Sequence, residues 1–167
     1  VFGLVQGSVE MTRKKVKRMN KSKTLLFSLV FLFLFGGSVF GEEPEVKKEF
    51  YDSGKLKLET HYINGKKEGL ETGWTEWGTK LYLSHYKNGK PDGLTTRWFW
   101  GTGMKKLETH FVDGKQNGVR KDWHPSGRKK FLRYYKNGIE NGIRKHWGED
   151  GKLLYEGNYV DGVEEIK

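Results

Sequence analysis

No cysteine occurs among the 167 residues, which excludes disulfides, thiolate metal sites, cysteine nucleophiles and a lipid-modified cysteine. Proline is nearly as scarce, with three residues against 23 glycines, so the chain turns mostly on glycine. No window carries a convincing 3.6-residue apolar period, which argues against amphipathic helices. A phosphate-cradling Gly-Lys-Ser/Thr loop is missing, since the Gly-Lys pairs lack the preceding glycine spacing. Ser84 neighbours His85, but no Ser/His/Asp constellation can be assembled around them.

Positive charge is present but unevenly spread. The formal net charge is +10, of which residues 1–41 contribute +6 through seven basic residues against Glu10. The remaining 24 basic and 20 acidic residues leave residues 42–167 at only +4, too little to argue for nucleic acid as a partner.

The one sustained hydrophobic run is Leu25 to Phe35, interrupted only by Ser28. Lys21 and Lys23 precede it, and Gly36, Gly37 and Ser38 follow. A basic start, a short apolar stretch and a small-residue exit predict a secretory signal peptide. A membrane-spanning helix needs about 20 apolar residues, more than this run holds before its glycines. Cleavage is expected between Gly41 and Glu42, the alternative being an uncleaved anchor in the inner membrane. Met11 and Met19 are the candidate starts, and residues 1–10 show no organised pattern. The expectation is export to the periplasm, the envelope or the exterior. Residues 1–41 form the upstream and signal segment, 42–49 a short acidic linker, and 50–167 one repeat domain.

Five columns keep register through the repeat domain. Asn-Gly or Asp-Gly recurs at Gly65, Gly89, Gly114, Gly138 and Gly162, in steps of 24 or 25 residues. A leading glycine recurs at Gly54, Gly78, Gly103, Gly127 and Gly151, and a closing one at Gly69, Gly93, Gly118 and Gly142. Phe50, Trp74, Trp98, Trp123 and Trp147 begin the units, while Tyr62, Tyr86, Phe111, Tyr135 and Tyr159 precede each Asn/Asp-Gly. Unit boundaries fall at about 50–73, 74–97, 98–122, 123–146 and 147–167. Alternation such as Lys55-Leu56-Lys57-Leu58 has the period of a half-buried strand, and Asn-Gly supplies the positive φ angles of a tight reversal. The prediction is an all-β chain, an elongated antiparallel meander of five tandem 24-residue hairpins and about ten strands. Its aromatic columns are expected to pack as a continuous buried stripe.

The stretches from Tyr62 to Gly69 (Tyr-Ile-Asn-Gly-Lys-Lys-Glu-Gly) and from Tyr86 to Gly93 (Tyr-Lys-Asn-Gly-Lys-Pro-Asp-Gly) resemble the MORN repeat. Tyr51 to Glu59, Tyr-Asp-Ser-Gly-Lys-Leu-Lys-Leu-Glu, is similar to its bacterial variant. The likeness covers about residues 50–163 and loosens at Ile139 and Val163, where the usual lysine is replaced. The resemblance implies hairpin repeats in an elongated sheet, with roles in protein or membrane-surface attachment. Bacterial members of the variant family are often labelled antitoxin components by homology.

Four groups of residues invite a functional reading. His61, His85 and His110 share a column, but equivalent strands of a meander lie roughly 9.6 Å apart, too far for easy sharing of a zinc ion. The column also alternates with the aromatic face, so a solvated repeat position is expected and no metal or other cofactor. Glu59, Glu108 and Glu156 follow the same outward register, where repetition argues against a singular catalytic pair. Arg120, Lys121, Arg128, Lys129, Lys130, Arg133, Lys136, Arg144 and Lys145 face only Asp122 and Glu140 between Val119 and Trp147, or +7. All of these but Lys136 are the candidate contacts to an anionic surface; the alternative is a solubilising face. The Trp column suits packing better than stacking on sugar rings, whereas Trp77 and Trp100, outside the column, are the better candidates for exposed contacts. The expected function is that of an exported, non-enzymatic surface binding or scaffolding a protein. The alternative is a module binding anionic lipid, lipopolysaccharide or cell-wall glycan.

Overall fold

The computed structural model describes residues 44–166. The leader, its cleavage site and the start of the linker lie outside them. All regular structure among the described residues is strand. In chain order these are β1 (Pro44–Phe50), β2 (Leu56–Ile63), β3 (Lys66–Trp74), β4 (Lys80–Lys87), β5 (Lys90–Trp98), β6 (Lys105–Val112), β7 (Lys115–Gln116), β8 (Gly118–Trp123), β9 (Lys129–Lys136), β10 (Ile139–Glu140), β11 (Gly142–Trp147), β12 (Leu153–Val160) and β13 (Val163–Glu164). They form one antiparallel sheet of 13 strands, each beside its sequence neighbour, with β7 and β10 completing the hairpins of β6 and β9.

Two turn designs alternate along the chain. At one edge Asn64, Asn88, Asp113, Asn137 and Asp161 all adopt φ between 48° and 51°, and the glycine after each is also at positive φ. This backbone twists with the strands and closes a two-residue loop. Each later turn also holds the preceding repeat: the Gly89 amide donates to the Lys67 carbonyl at 2.8 Å, and Gly138 to Gln116 at 2.7 Å. At the other edge a four-residue turn ends on the leading glycine, as where the Gly54 amide donates to the Tyr51 carbonyl at 2.9 Å. Closing glycines absorb a register shift between paired strands. Gly93 and Gly142 are the tightest cases, at φ 108° and 120°, with the Cβ of His85 or Tyr134 only 3.0 Å from where their own Cβ would stand.

The register sorts side chains onto two faces. Tyr62, Tyr86, Phe111, Tyr135 and Tyr159 share the tyrosine face with Thr60, Ser84 and Thr109; the histidine face carries His61, His85, His110, Leu70 and Leu94. No second layer covers either face among the described residues.

Three expectations are corrected. Residues 44–49, taken as linker, are part of β1, which pairs with β2 from Pro44 opposite Ile63 onward. The strand number exceeds ten because β1 adds a strand before the first unit and the closing glycines divide the later returning strands. The continuous buried apolar stripe is also absent. No hydrophobic residue is buried among those described, and the enclosed positions are instead Thr60, Glu71, Thr72, Thr75, Ser84, Thr95, Thr96, Thr109 and His124. In one sheet layer the side chains covered between two flanking rows are mostly short, with Glu71 and His124 the longer exceptions. The tyrosine and tryptophan rings of the columns lie half-exposed.

Candidate binding surface

A single row of side chains crosses the middle of the tyrosine face. Thr60 pairs with Glu71, Glu71 with Ser84, Ser84 with Thr95 and Thr95 with Thr109. The row continues through Arg120 to Arg133, its direct partner. The pairing of Lys145 with Leu132 then sets Arg144 beside Arg133. The aromatic rows run along both sides.

The first half of the row is enclosed and satisfied. Glu71 is 6% exposed; it accepts a hydrogen bond from Thr60 Oγ1 at 3.1 Å, is paired with Lys67, and lies 3.4 Å from the Tyr86 hydroxyl. Burial is the largest single influence on the Lys67 ammonium and works to lower its pKa, but the hydrogen bond to Glu71 and the Glu71 charge together outweigh it and leave it raised. Burial and then the Glu71 carboxylate push the Tyr82 phenol up to about 12, and Tyr86 is raised for the same reasons. This half is a structural network.

The second half is cationic. Arg120 donates from Nε and Nη2 to Asp122 at 2.9 and 2.8 Å, a two-pronged bond that raises its pKa. Arg144 donates from Nη1 to the Tyr159 hydroxyl at 2.8 Å and from Nη2 to Glu140 at 2.7 Å. Arg133, between them, has no hydrogen-bond or ion-pair partner among the described residues, and its Nε is buried without one. Its guanidinium carbon lies 4.2 Å from the centre of the Phe131 ring.

The eight candidate cations do not share a surface. Arg120, Arg133 and Arg144 come together on the tyrosine face. Lys121 and Lys145 alternate onto the histidine face, where Lys145 Nζ sits 3.1 Å from Glu156. Lys130 is the extra residue of a register shift, and its Nζ lies 5.7 Å from the centre of the Phe131 ring. Arg128 lies at a turn and donates to the Glu149 carbonyl at 2.8 Å, and Lys129 opens β9 opposite Trp123.

The histidine column follows the face opposite the tyrosines. His61 stands 3.4 Å from Glu59, and the His85 Nδ1 is 2.8 Å from the Leu94 carbonyl oxygen. Among the described residues no three His, Asp or Glu side chains converge on a common point. His124 was not singled out by sequence reasoning, yet it is 6% exposed and its Nε2 donates to the Trp147 carbonyl at 2.9 Å. Tyr51, in the same column three units earlier, does likewise, its hydroxyl donating to the Trp74 carbonyl at 2.6 Å. The legible signal was position: both residues directly follow the aromatic that begins a unit, and both reach the next unit's tryptophan.

Trp77 and Trp100 lie on neighbouring turns of the leading-glycine edge. They are 67% and 64% exposed and pack edge to face, with centroids 4.9 Å apart and planes at 86°. The column tryptophans are half-buried, in contrast.

Residues 46–64 and 140–161 match the MORN repeat variant. A search of curated proteins gave no match. The first stretch covers most of β1 and all of β2 up to Asn64; the second runs from Glu140 through β12 to Asp161. Stretches similar to the MORN repeat variant thus lie near both ends of one continuous sheet.

Proposed function

We propose that this is an exported, non-enzymatic repeat protein whose sheet is a binding or scaffolding surface for another protein. Repeats of this kind are generally protein- or membrane-binding modules, and the fold is not that of a known enzyme family. The observation that carries the protein reading is the Trp77–Trp100 pair. Tryptophan is rarely left this exposed, and two rings held against each other on adjacent turns present a rigid apolar projection with little entropy to lose. Such residues dominate the energetics of protein interfaces. The division of the basic residues between two faces weighs against attachment to an anionic plane, which needs them side by side.

The test is a pull-down from envelope extracts at low and high salt, using wild type and a Trp77→Ser/Trp100→Ser double variant. Capture of a discrete protein that survives salt and is lost with the tryptophans is the expected result. A partner retained equally by the double variant would overturn the reading. Export is tested separately by mass spectrometry of the envelope fraction, with a mature N-terminus at Glu42 expected from the leader's pattern.

A further inference from the structure

The arginine row carries one positive charge more than its own acids neutralise. Asp122 is committed to Arg120 and Glu140 to Arg144, while Arg133 is left without a partner among the described residues. The three guanidinium groups come from adjacent strands, about 4.8 Å apart at the backbone. Like charges facing one another across strands destabilise a sheet. Two of the three charges are compensated within the chain, and the middle one is not.

The middle guanidinium is also held ready. Phe131 lies beneath it at 4.2 Å, and Arg144 beside it is fixed against the Tyr159 ring at 4.5 Å. Its Nε is enclosed, so the two terminal nitrogens are the atoms left to face outward. A planar fork with two free donors on an aromatic platform matches the geometry of a carboxylate.

We propose that Arg133, braced by Arg120 and Arg144, is a carboxylate-binding subsite for an acidic segment of the protein partner. This rests on the protein-binding reading above and adds the chemistry of what is bound. The charge balance selects this ligand over a bilayer or a free phosphate. Asp122 and Glu140 stand on the same face, so an anionic membrane would meet their charges together with the arginines. A single surplus cation suits one carboxylate, whereas a membrane surface is held by several unpaired cations on a common plane.

The probe is a fluorescently labelled, end-blocked hexaglutamate peptide, followed by anisotropy with the purified protein at low salt. Wild type is expected to bind, and Arg133→Gln to weaken binding by about tenfold or more, the scale of a lost two-pronged charged contact. Lys121→Gln and Lys145→Gln, on the other face, are expected to change it less than about twofold. Arg133→Lys keeps the charge and most of the stem and is expected to restore binding only in part, because an ammonium cannot fork. That variant serves as the comparison if Arg133→Gln loses its thermal transition.

Failure to bind the peptide would overturn the proposal. So would equal losses from Lys121→Gln, which would show diffuse attraction. Arms with inorganic phosphate and with phosphatidylglycerol vesicles cover the other anions, and Arg133-dependent binding of either in place of the peptide would also overturn it. A pulled-down protein partner that needs Trp77 and Trp100 but ignores Arg133→Gln would sink the subsite and leave the protein-binding reading intact.

Discussion

The ring of Tyr82 lies across Gly73, its partner on the neighbouring strand, and takes the space a side chain would need. A Cβ at Gly73 would stand 2.5 Å from Tyr82 Cε1. Glycine is a poor strand former, and here the ring shields the backbone that glycine leaves bare. The pair shows how a one-layer sheet builds packing without a second layer.

Gly73→Ala is therefore expected to destabilise the protein by about 1–3 kcal/mol, the usual cost of overpacking. Urea unfolding measures it. In the double variant with Tyr82→Ala the two costs should fall short of additive, since the clash disappears with the ring. Strict additivity would show that ring and glycine do not meet in solution.

Tyr82 also sets an alkaline limit. Its phenol is pushed up to about 12 by burial and then by the Glu71 carboxylate, against an ordinary value of about 10. The folded state favours the neutral phenol, so this contribution is fully present below pH 10 and is lost as pH rises through about 12. Tyr86 and Tyr155 are raised as well, so the difference between ultraviolet phenolate titrations of wild type and Tyr82→Phe is what should isolate the late ionisation of Tyr82. Glu71→Gln should move its ionisation back toward the ordinary value.

Glu71 is also expected to matter for stability. Replacing it by Ala strips Thr60 and Lys67 of their shared acceptor, at a cost of about 1.5–3 kcal/mol for a hydrogen-bonded charge. Lys67 is 32% exposed and can turn to water, which keeps the cost below that of stranding a deeply buried ion. Thermal and urea unfolding of Glu71→Ala provide the comparison. A loss below about 0.5 kcal/mol would place Glu71 in solvent.

The hairpin pattern was legible because its signals are local. Asn64-Gly65 and its repeats demand positive φ whatever surrounds them, and alternation around Leu56 and Leu58 fixes which side chains share a face. Burial was not legible, because it depends on how many layers stack. Tyr86 was expected in a packed stripe, where truncation costs about 3–5 kcal/mol. Half-exposed in a single layer, Tyr86→Ala is expected to cost closer to 1–2 kcal/mol, in proportion to the apolar area it covers. The basic cluster was misleading for the same geometric reason. Counting charges from Val119 to Trp147 adds both faces together, whereas the period of two sends Arg120 and Lys121 to opposite sides. The Arg120–Arg133–Arg144 row becomes visible only when strands are placed beside one another, because its members lie 13 and 11 residues apart in the chain.

Locality should also govern unfolding. Each Asn/Asp-Gly turn from Gly89 onward is tied to the repeat before it, so contacts run between neighbours and none bridges the ends of the sheet. Asn137 holds φ 51°, which a β-branched residue adopts only under strain, so Asn137→Val is expected to cost about 1–2 kcal/mol at that turn. In native-state hydrogen exchange the amides of β9 and β11 should then exchange faster, while those of β2, β3 and β4 keep wild-type protection. Uniform acceleration across all strands would mean that the sheet unfolds as one cooperative block. Confinement to β9, β11 and their immediate neighbours would mean that each hairpin is stabilised by the hairpins beside it, the behaviour a one-layer sheet without a common core imposes.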